Sequence, residues 1–343
     1  MKIGLISSQQ IVIDRFFSDW IGAWLAQGDE VLIALETGQT SQLQATSLTQ
    51  MPGLSRRPSL GFAKARAAIA SWADRRQLDV VVTNAATPSA MVRLASLTVP
   101  TVYFCHGLHW RDSKDVPSYW WSLLEKFLLR NTDGIVCMND ADEAWFRERY
   151  SGPILRLASG VGLNVDAWRR SPQIIQHEPL RLLWIAEFSP RKRPQDALAI
   201  HRQLISRGIP SDLIMLGQGK LYEKVCRKVS KQDNVILPGH VDPIPYLQQT
   251  SLLLHTAEWE GLARVLLEGI AMGVPTFGYS TKGVTDVPGV ITAGRPGDTA
   301  ALADAITQWL SRGQARPDVG ADQFNWKTSF DRFASFLTLL VQK

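Results

Sequence analysis

The sequence predicts an α/β protein made of two doubly wound domains that face each other across a cleft. Three observations support this prediction. The chain has 343 residues, which is more than one hydrophobic core usually organises. Continuous apolar runs of strand length alternate with helix-length segments, which indicates parallel sheets covered on both faces. A polar stretch at residues 169–179 interrupts the alternation, which then starts again.

Both halves repeat the same alternation of elements. In the first half, strands are expected at 2–7, 30–35, 79–83, 101–104 and 134–138, with an aromatic helix at 14–26. In the second half, strands are expected at 181–186, 212–216, 234–237 and 251–255, and a further strand is expected to open at Val274-Pro275. The expected domains are 1–165 and 166–322, and an amphipathic C-terminal helix at 323–343 is expected to cross back to the N-terminal domain. Ligands of such sheets bind beyond the carboxyl ends of the strands.

The basic residues are unevenly distributed, although the net charge is only +5. Arg56, Arg57, Lys64 and Arg66 follow one another without an intervening acid. Such a patch fits the anionic inner face of a membrane or a phosphate-bearing acceptor, and a solvated loop and helix face explains it equally well. A nucleic-acid site would need a stronger basic stripe with interleaved aromatic residues, so nucleic acid is not an expected partner.

The absence of targeting signals and the pattern of cysteines indicate a cytoplasmic protein, and the basic patch adds an expected peripheral contact with the inner face of the plasma membrane. No apolar run approaches the ~20 residues that span a bilayer. The N-terminus, MKIGLISS, has neither a basic leader nor a small-residue cleavage site. Cys105, Cys137 and Cys226 are odd in number and widely spaced, so they are expected to be reduced thiols.

The most informative segment contains two glutamates, Glu260 and Glu268. A helix is expected from Leu262 to Met272, which places Glu260 just before its first turn and Glu268 well inside it. The free amides of Leu262 and Ala263 would then form a seat for a diphosphate, and the carboxylates could accept hydrogen bonds from sugar and ribose hydroxyls. On spacing alone, a capping acid and a helix-surface acid are the simpler interpretation.

Several motifs together resemble those of retaining glycosyltransferases with two Rossmann-like domains, the GT-B fold. The pair Glu260-x7-Glu268, with its Ala-x-Gly-x-Pro end, resembles the paired-glutamate motif of the group 1, family 4 enzymes. Segments that resemble the family's interdomain stretch, lysine-bearing loop, glycine pair and following strand occur at 160–166, 184–194, 217–219 and 234–240. Residues 104–110 and the helix at 120–130 resemble the subgroup that builds capsular and exopolysaccharides. The resemblance covers nearly the whole chain and is stronger in the second half.

The resemblance implies roles for individual residues. Lys192 would pair with the donor diphosphate as a point charge, Glu260 would hold hydroxyls of the transferred sugar, and Glu268 would hold the ribose. His106, at the end of an N-terminal strand, would reach across the cleft to the donor sugar. Glu260, His106 and Lys192 would thus be the catalytic residues. The other residues implied in donor binding are Gly217, Gly219, His240, Gly261, Leu262, Ala263 and Gly283.

The chain departs from the family at one position that matters for phosphate binding. Where the family usually has an arginine after the first donor-domain strand, this sequence has Ala186 followed by Glu187. An acid cannot bind phosphate, so the contact is either lost or supplied by Arg191, Arg193 or Arg264.

The activity implied is metal-independent transfer of a sugar from a nucleotide-diphosphate donor, without a cofactor, to a glycan or lipid-linked oligosaccharide. His106 and His109 have no third ligand nearby in the sequence, which argues against a zinc site. The alternatives are a nucleotide-sugar epimerase or hydrolase on the same fold and a catalytically inactive relative that only binds. The first is disfavoured because the N-terminal half shows no evident acid/base carboxylate pair. The second is suggested by Glu187 and opposed by Lys192, Glu260 and Glu268 together.

Overall fold

The computed structural model describes residues 1–36, 47–55, 61–108, 116–168, 178–230 and 233–342. It forms two compact units, one of Met1–Gly162 with Trp326–Lys343 and one of Leu163–Asn325. Their boundaries follow Gly162 and Asn325, whereas the sequence places them after residues 165 and 322. Most of the expected linker, and Arg56, Arg57 and His109, lie outside the described residues.

The first unit is built on a parallel sheet whose strand order is β3-β2-β1-β4-β5-β6-β7. The strands are β1 (Lys2–Ile6), β2 (Glu30–Leu35), β3 (Ser47–Gln50), β4 (Val80–Asn84), β5 (Thr101–Phe104), β6 (Gly134–Cys137) and β7 (Ile154–Arg156). The helices are α1 (Gln10–Ala26), α2 (Phe62–Arg76), α3 (Ala86–Ala95), α4 (Val116–Leu128), α5 (Asp140–Arg147) and, at the C-terminus, α11 (Trp326–Val341). Strands β1, β2 and β4 are almost wholly buried, as their unbroken apolar sequences predict.

Helix α11 packs against α1 through aromatic side chains. The rings of Trp20 and Phe333 lie 5.0 Å apart, and those of Trp24 and Phe330 lie 5.6 Å apart. A Cβ atom added at Gly134 would come within 2.6 Å of Leu340 on α11, so this glycine allows the helix to approach β6 closely. The aromatic face of α1 is therefore core, which explains its tryptophans without a membrane.

The second unit is built on a parallel sheet of order β10-β9-β8-β11-β12-β13. Its strands are β8 (Leu180–Ile185), β9 (Ser211–Leu216), β10 (Val235–Gly239), β11 (Leu252–His255), β12 (Thr276–Gly278) and β13 (Val290–Thr292). Its helices are α6 (Pro194–Ser206), α7 (Tyr222–Cys226), α8 (Ile244–Leu247), α9 (Arg264–Ala271) and α10 (Thr299–Ser311). Buried aliphatic and aromatic residues cover both faces of this sheet.

Both sheets reverse their direction of winding between two central strands. In the first unit this switch point lies between β1 and β4, and in the second it lies between β8 and β11. The loops that leave the carboxyl ends of these strands diverge to opposite faces and leave a crevice where ligands of such sheets bind. The predicted fold class, two α/β domains with parallel sheets, is confirmed.

Candidate functional site

A cluster of charged side chains lies at the switch point of the second unit. Arg191 and Lys192 come from the loop after β8, and His255 and Glu260 come from the end of β11 and the loop that follows. Residues almost 70 positions apart thus meet because their strands are neighbours in the sheet.

The carboxylate of Glu260 is the centre of this cluster. Its Oε1 accepts hydrogen bonds from Nζ of Lys192 and, at 3.2 Å, from Nε2 of His255. Its Oε2 accepts one from Nη1 of Arg191 at 2.9 Å. Glu260 is buried, as is His255, whereas Arg191 keeps about a third of its side chain exposed. Three donors therefore hold one carboxylate in a single orientation.

Hydrogen bonds between the two loops fix the cluster. The Thr256 hydroxyl lies 2.8 Å from the carbonyl oxygen of Lys192 and accepts a hydrogen bond from the Trp184 indole at 2.8 Å. The Glu258 amide donates to the carbonyl oxygen of Arg191 at 2.8 Å. Because these bonds join backbone to backbone or to buried side chains, the charged groups stand on a rigid support.

Burial and charge shift the pKa values of the cluster in a consistent way. Burial would raise the pKa of Glu260, but attraction to Lys192 and the hydrogen bond from His255 outweigh it and hold that pKa well below its usual range. Burial lowers the pKa of Lys192 and that of His255, although Glu260 opposes both shifts. Glu260 is therefore ionised at neutral pH, and His255 is a neutral imidazole that donates its Nε2 proton.

The cluster carries more positive than negative charge. Arg191 and Lys192 both face the carboxylate of Glu260, with the exposed Glu187 acting on Lys192 from a greater distance, and the Arg191 guanidinium lies 4.8 Å from the ring centre of Trp259. The ammonium of Lys282, a residue that the sequence analysis missed, lies 5.1 Å from the same ring. An excess of cations around one buried carboxylate favours an anionic ligand.

The helix that follows Glu260 begins later than expected. It starts at Arg264 instead of Leu262, because Ala263 has an extended backbone conformation. The amide of Ala263 donates to the carbonyl oxygen of Gly283 at 3.2 Å, so the expectation that this amide is exposed is wrong. Gly283 is needed for this contact, since a Cβ atom there would lie 2.4 Å from the carbonyl oxygen of Glu260.

The three arginines proposed to replace the missing family arginine have different partners. Arg264 pairs with Glu268 at 3.1 Å, and Arg193 pairs with Asp196 at 2.7 Å. Of the three, Arg191 is the one that contacts Glu260, whereas Glu187 is exposed. Arg191 is therefore placed to supply the positive charge. The role of Glu268 toward a ribose stays a prediction.

The glycine pair after β9 has a clear packing role. Gly217 has a φ of +129°, and a Cβ atom there would lie 2.0 Å from the carbonyl oxygen of Ala186. A Cβ atom added at Gly219 would lie 2.7 Å from the carbonyl oxygen of Phe188. These glycines let the loops after β8 and β9 touch, and His240 is exposed after β10 at the same edge of the sheet. Their contact with a donor stays a prediction, as does that of Gly261 and half-buried Leu262.

In the first unit, His106 follows the carboxyl end of β5. Its ring lies between those of Phe16 and Phe104, at centre distances of 4.7 and 5.1 Å. Its Nε2 atom is buried and has no hydrogen-bond partner among the described residues. Burial lowers the pKa of His106 to about 4, so the ring is neutral at physiological pH.

Two further buried polar side chains lie at the switch point of the first unit, and the sequence analysis missed both. Ser7 follows β1 and Asn84 ends β4, and neither side chain has a hydrogen-bond partner within the described structure. Buried polar atoms are nearly always paired with protein, water or ligand. The sequence signal that could have found them is a polar residue directly at the end of an apolar strand.

The low pKa of His106 predicts a pH-dependent stability. The folded protein resists protonation of this ring, whereas the unfolded chain does not. The contribution of the neutral ring to the free energy of unfolding is therefore fully present above the unfolded pKa of 6.5 and is lost as the pH falls toward about 4. At about pH 4.5 the loss is roughly 2–3 kcal/mol. The variant His106→Gln, which does not titrate, should lose that much less free energy of unfolding than the wild type between neutral pH and pH 4.5. Urea unfolding followed by circular dichroism measures this, and equal losses in both proteins would contradict it.

Neither a metal site nor a membrane-spanning helix is found among the described residues. They contain no group of three His, Cys, Asp or Glu side chains arranged to hold a metal ion. None of the helices in the described parts of the chain is long and apolar enough to cross a membrane.

Fold and site together define a protein of two doubly wound units whose second unit carries two cations around a buried carboxylate at its switch point. Two family models match, one in each half: "Glycosyltransferase Family 4" at residues 13–161 and "Glycosyl transferases group 1" at residues 179–312. The chain belongs to the GT-B glycosyltransferases.

Solved structures of the same fold extend over the whole chain. Sucrose-phosphate synthase from Thermosynechococcus elongatus superposes with a TM-score of 0.79 at 16% identity, covering 99% of both chains. Anabaena HepE in complex with UDP gives a TM-score of 0.78 at 16% identity, covering 99% of this chain and 100% of the other. At these identities the likeness shows a shared fold.

One curated protein is more similar in sequence over a shorter length. N-acetyl-alpha-D-glucosaminyl L-malate synthase from Bacillus anthracis is 28% identical over 149 residues, which is 40% of this chain and 38% of that protein.

Proposed function

We propose that this protein transfers a sugar from a nucleoside-diphosphate sugar to a hydroxyl group of a glycan or lipid-linked oligosaccharide, with retention of anomeric configuration. The observation that carries the proposal is the buried Glu260 carboxylate held by Lys192 and Arg191 at the switch point of the second unit. A donor of this class has an anionic diphosphate next to a polyhydroxylated ring, and the crevice offers cations next to a carboxylate.

The cluster suits each part of such a donor. Lys192 and Arg191 stabilise the negative charge that develops on the diphosphate as it leaves. Glu260 accepts hydrogen bonds from sugar hydroxyls, because its low pKa keeps it ionised and therefore an acceptor only. The His255 proton fixes the position of that carboxylate.

The reaction balances without a protein-bound metal or cofactor. The bond between the anomeric carbon and the diphosphate oxygen breaks, and its electron pair leaves with the diphosphate. The acceptor oxygen bonds to the same carbon on the same face, and its proton is taken by the leaving diphosphate. In this proposal, the protein supplies positive charge and orientation.

Uridine nucleotides are the first donors to test, because structures of Anabaena HepE are described with UDP and with UDP-glucose. The experiment is a thermal-shift screen of the full chain with UDP, GDP and ADP and their sugars, each with and without EDTA. A ligand at about a hundred times its Kd should stabilise the protein by roughly 2.7 kcal/mol. The expected result is a shift with one base that EDTA does not reduce and that Lys192→Ala abolishes.

Other outcomes separate the alternatives. A shift without release of nucleoside diphosphate in the presence of acceptor glycans would indicate a relative that only binds. Release of free sugar or of an isomeric nucleotide sugar would indicate a hydrolase or an epimerase. The absence of a shift with every nucleotide would contradict the donor site itself.

A further inference from the structure

Helix α4 presents an unusual concentration of large apolar side chains to solvent. Of the nine large hydrophobic side chains that are exposed among the described residues, four lie on this helix. Tyr119 and Trp120 are each 63% exposed, Phe127 is 50% exposed and Leu123 is 37% exposed. The other five are scattered over different elements, as is normal for a protein surface. A contiguous aromatic surface of this kind marks an interaction site.

The spacing places these four residues on one side of α4. At 100° per residue, positions 119, 120, 123 and 127 fall within an arc of about 100°. Ser118, Glu125 and Leu128 lie on the opposite side and are buried. The aromatic side is therefore the outer face of a helix whose inner face is already packed.

A buried ion pair holds α4 in this orientation. Glu125 accepts two hydrogen bonds from the guanidinium of Arg93 on α3, at 2.5 and 3.2 Å. That guanidinium also lies 4.1 Å from the ring centre of Tyr103 on β5. Because Glu125 is buried in this pair, the helix cannot rotate its aromatic residues inward without moving the pair into solvent or separating its two charges.

The outer face is basic as well as aromatic. Lys126 and Arg130 are exposed beside Phe127, and the Arg130 guanidinium lies 5.7 Å from the Phe127 ring centre. Neither forms an ion pair with another residue that the structure describes. Both also line an open groove of about 830 Å³, where the carboxylate of Asp133 is already engaged by the Thr101 amide at 2.8 Å.

We propose that the outer face of α4, defined by Tyr119, Trp120, Leu123, Lys126 and Phe127 together with Arg130 just beyond the end of the helix, docks the protein on an anionic lipid bilayer. Trp, Tyr, Phe and Leu on one helix face, flanked by Lys and Arg, match the chemistry of the boundary between headgroups and acyl chains. The aromatic rings enter this boundary, and the two cations meet the negative headgroups. The inference concerns a surface distinct from the switch-point crevices and does not depend on the proposed transfer reaction.

A bilayer suits this face better than a protein partner because, of the six residues that define the face, two are cations and none is an acid; the exposed Asp133 lies in the adjoining groove. Glu125, the acid of the described helix, points inward. An anionic membrane supplies complementary charge over its whole surface, so it does not need a matching arrangement of acids.

The test is flotation of the full chain with vesicles of phosphatidylcholine alone or with about 30% phosphatidylglycerol, at about 50 and 300 mM salt. We expect binding to the anionic vesicles that weakens at the higher salt. A basic residue near such a surface is worth about 1 kcal/mol, so the double change Lys126→Gln/Arg130→Gln should weaken partitioning roughly thirtyfold. The double change Trp120→Ser/Phe127→Ser should weaken it by at least about tenfold.

Matched controls lie elsewhere on the same unit. The double change Lys64→Gln/Arg66→Gln removes the same charge from exposed positions of α2, and Ile11→Ser/Leu339→Ser removes two exposed aliphatic residues. Both controls should change partitioning less than twofold if α4 is the docking surface, by the same additive estimate per residue. Circular dichroism checks that every variant is folded.

Three results would overturn the proposal. The first is no binding of the wild type to anionic vesicles at low salt. The second is a loss in the α2 control as large as in the α4 variant, which would move the site to the basic patch of the sequence. The third is a dimer in sedimentation velocity that the Trp120→Ser/Phe127→Ser change dissociates, which would make the face a contact between copies.

Discussion

Glu260→Gln is expected to lower kcat/KM for sugar transfer by about 10²–10³-fold while nucleoside-diphosphate binding is kept or strengthened. In the wild type, Lys192 and Arg191 both donate to Glu260, so the carboxylate competes with a diphosphate for the same cations. The amide of a glutamine cannot neutralise them, and removing one partner of a buried pair costs about 3 kcal/mol of folding free energy. A bound diphosphate restores the missing negative charge. Its stabilising effect should therefore be at least as large in the variant as in the wild type.

Thermal shift and initial transfer rates, measured on the same preparations, test this prediction. Glu258→Gln is the matched control, because this exposed glutamate lies in the same loop as Glu260, and its removal should leave both quantities unchanged. If Glu260→Gln lost the nucleotide shift together with activity, the carboxylate would be a structural counter-ion of Lys192. If it kept full activity, Glu260 would not contact the sugar.

The sequence predicts those strands well whose burial on both faces requires apolar residues. Strands β1, β2, β4 and β8 are covered on both faces, so they appear as largely apolar runs. Strands β3, β7 and β13 were missed, because they are only three or four residues long and half-buried. Without an apolar run, nothing local distinguishes such a strand from a loop. The order of strands in each sheet is likewise set by contacts that no single segment encodes.

The candidate site shows the same limit. Family resemblance picks out Lys192 and Glu260, but nothing in their spacing indicates that their side chains bind each other, or that His255 completes the group. The sequence could not show which arginine replaces the missing family arginine for the same reason. Arg191, Arg193 and Arg264 are equivalent as sequence, and only the arrangement of the loops after β8 and β11 brings Arg191 to Glu260 and leaves the others with local acids.

Arg93→Met is expected to destabilise the first unit by about 3–5 kcal/mol. The Arg93 side chain is fully buried, and its Nε also donates to the carbonyl oxygen of Ser89 at 3.2 Å. Without it, the carboxylate of Glu125 has no counter-charge in a place that water hardly reaches. Arg93→Lys keeps the charge but cannot bind both carboxylate oxygens in the same planar geometry, so an intermediate loss is expected.

A double-mutant cycle separates the pair from its surroundings. Because apolar replacements of a whole buried pair are often neutral, Arg93→Met/Glu125→Leu should recover most of the stability that either single change loses. The exposed pair Arg147 and Glu143 of the same unit gives the control, and Arg147→Met should cost less than about 0.5 kcal/mol. Hydrogen exchange of β4 and β5 reports on the first unit alone, which avoids treating a two-unit chain as two-state. Additive losses in the cycle would show that Arg93 and Glu125 do not hold α4 as a pair. The outer face of that helix would then owe its orientation to apolar packing.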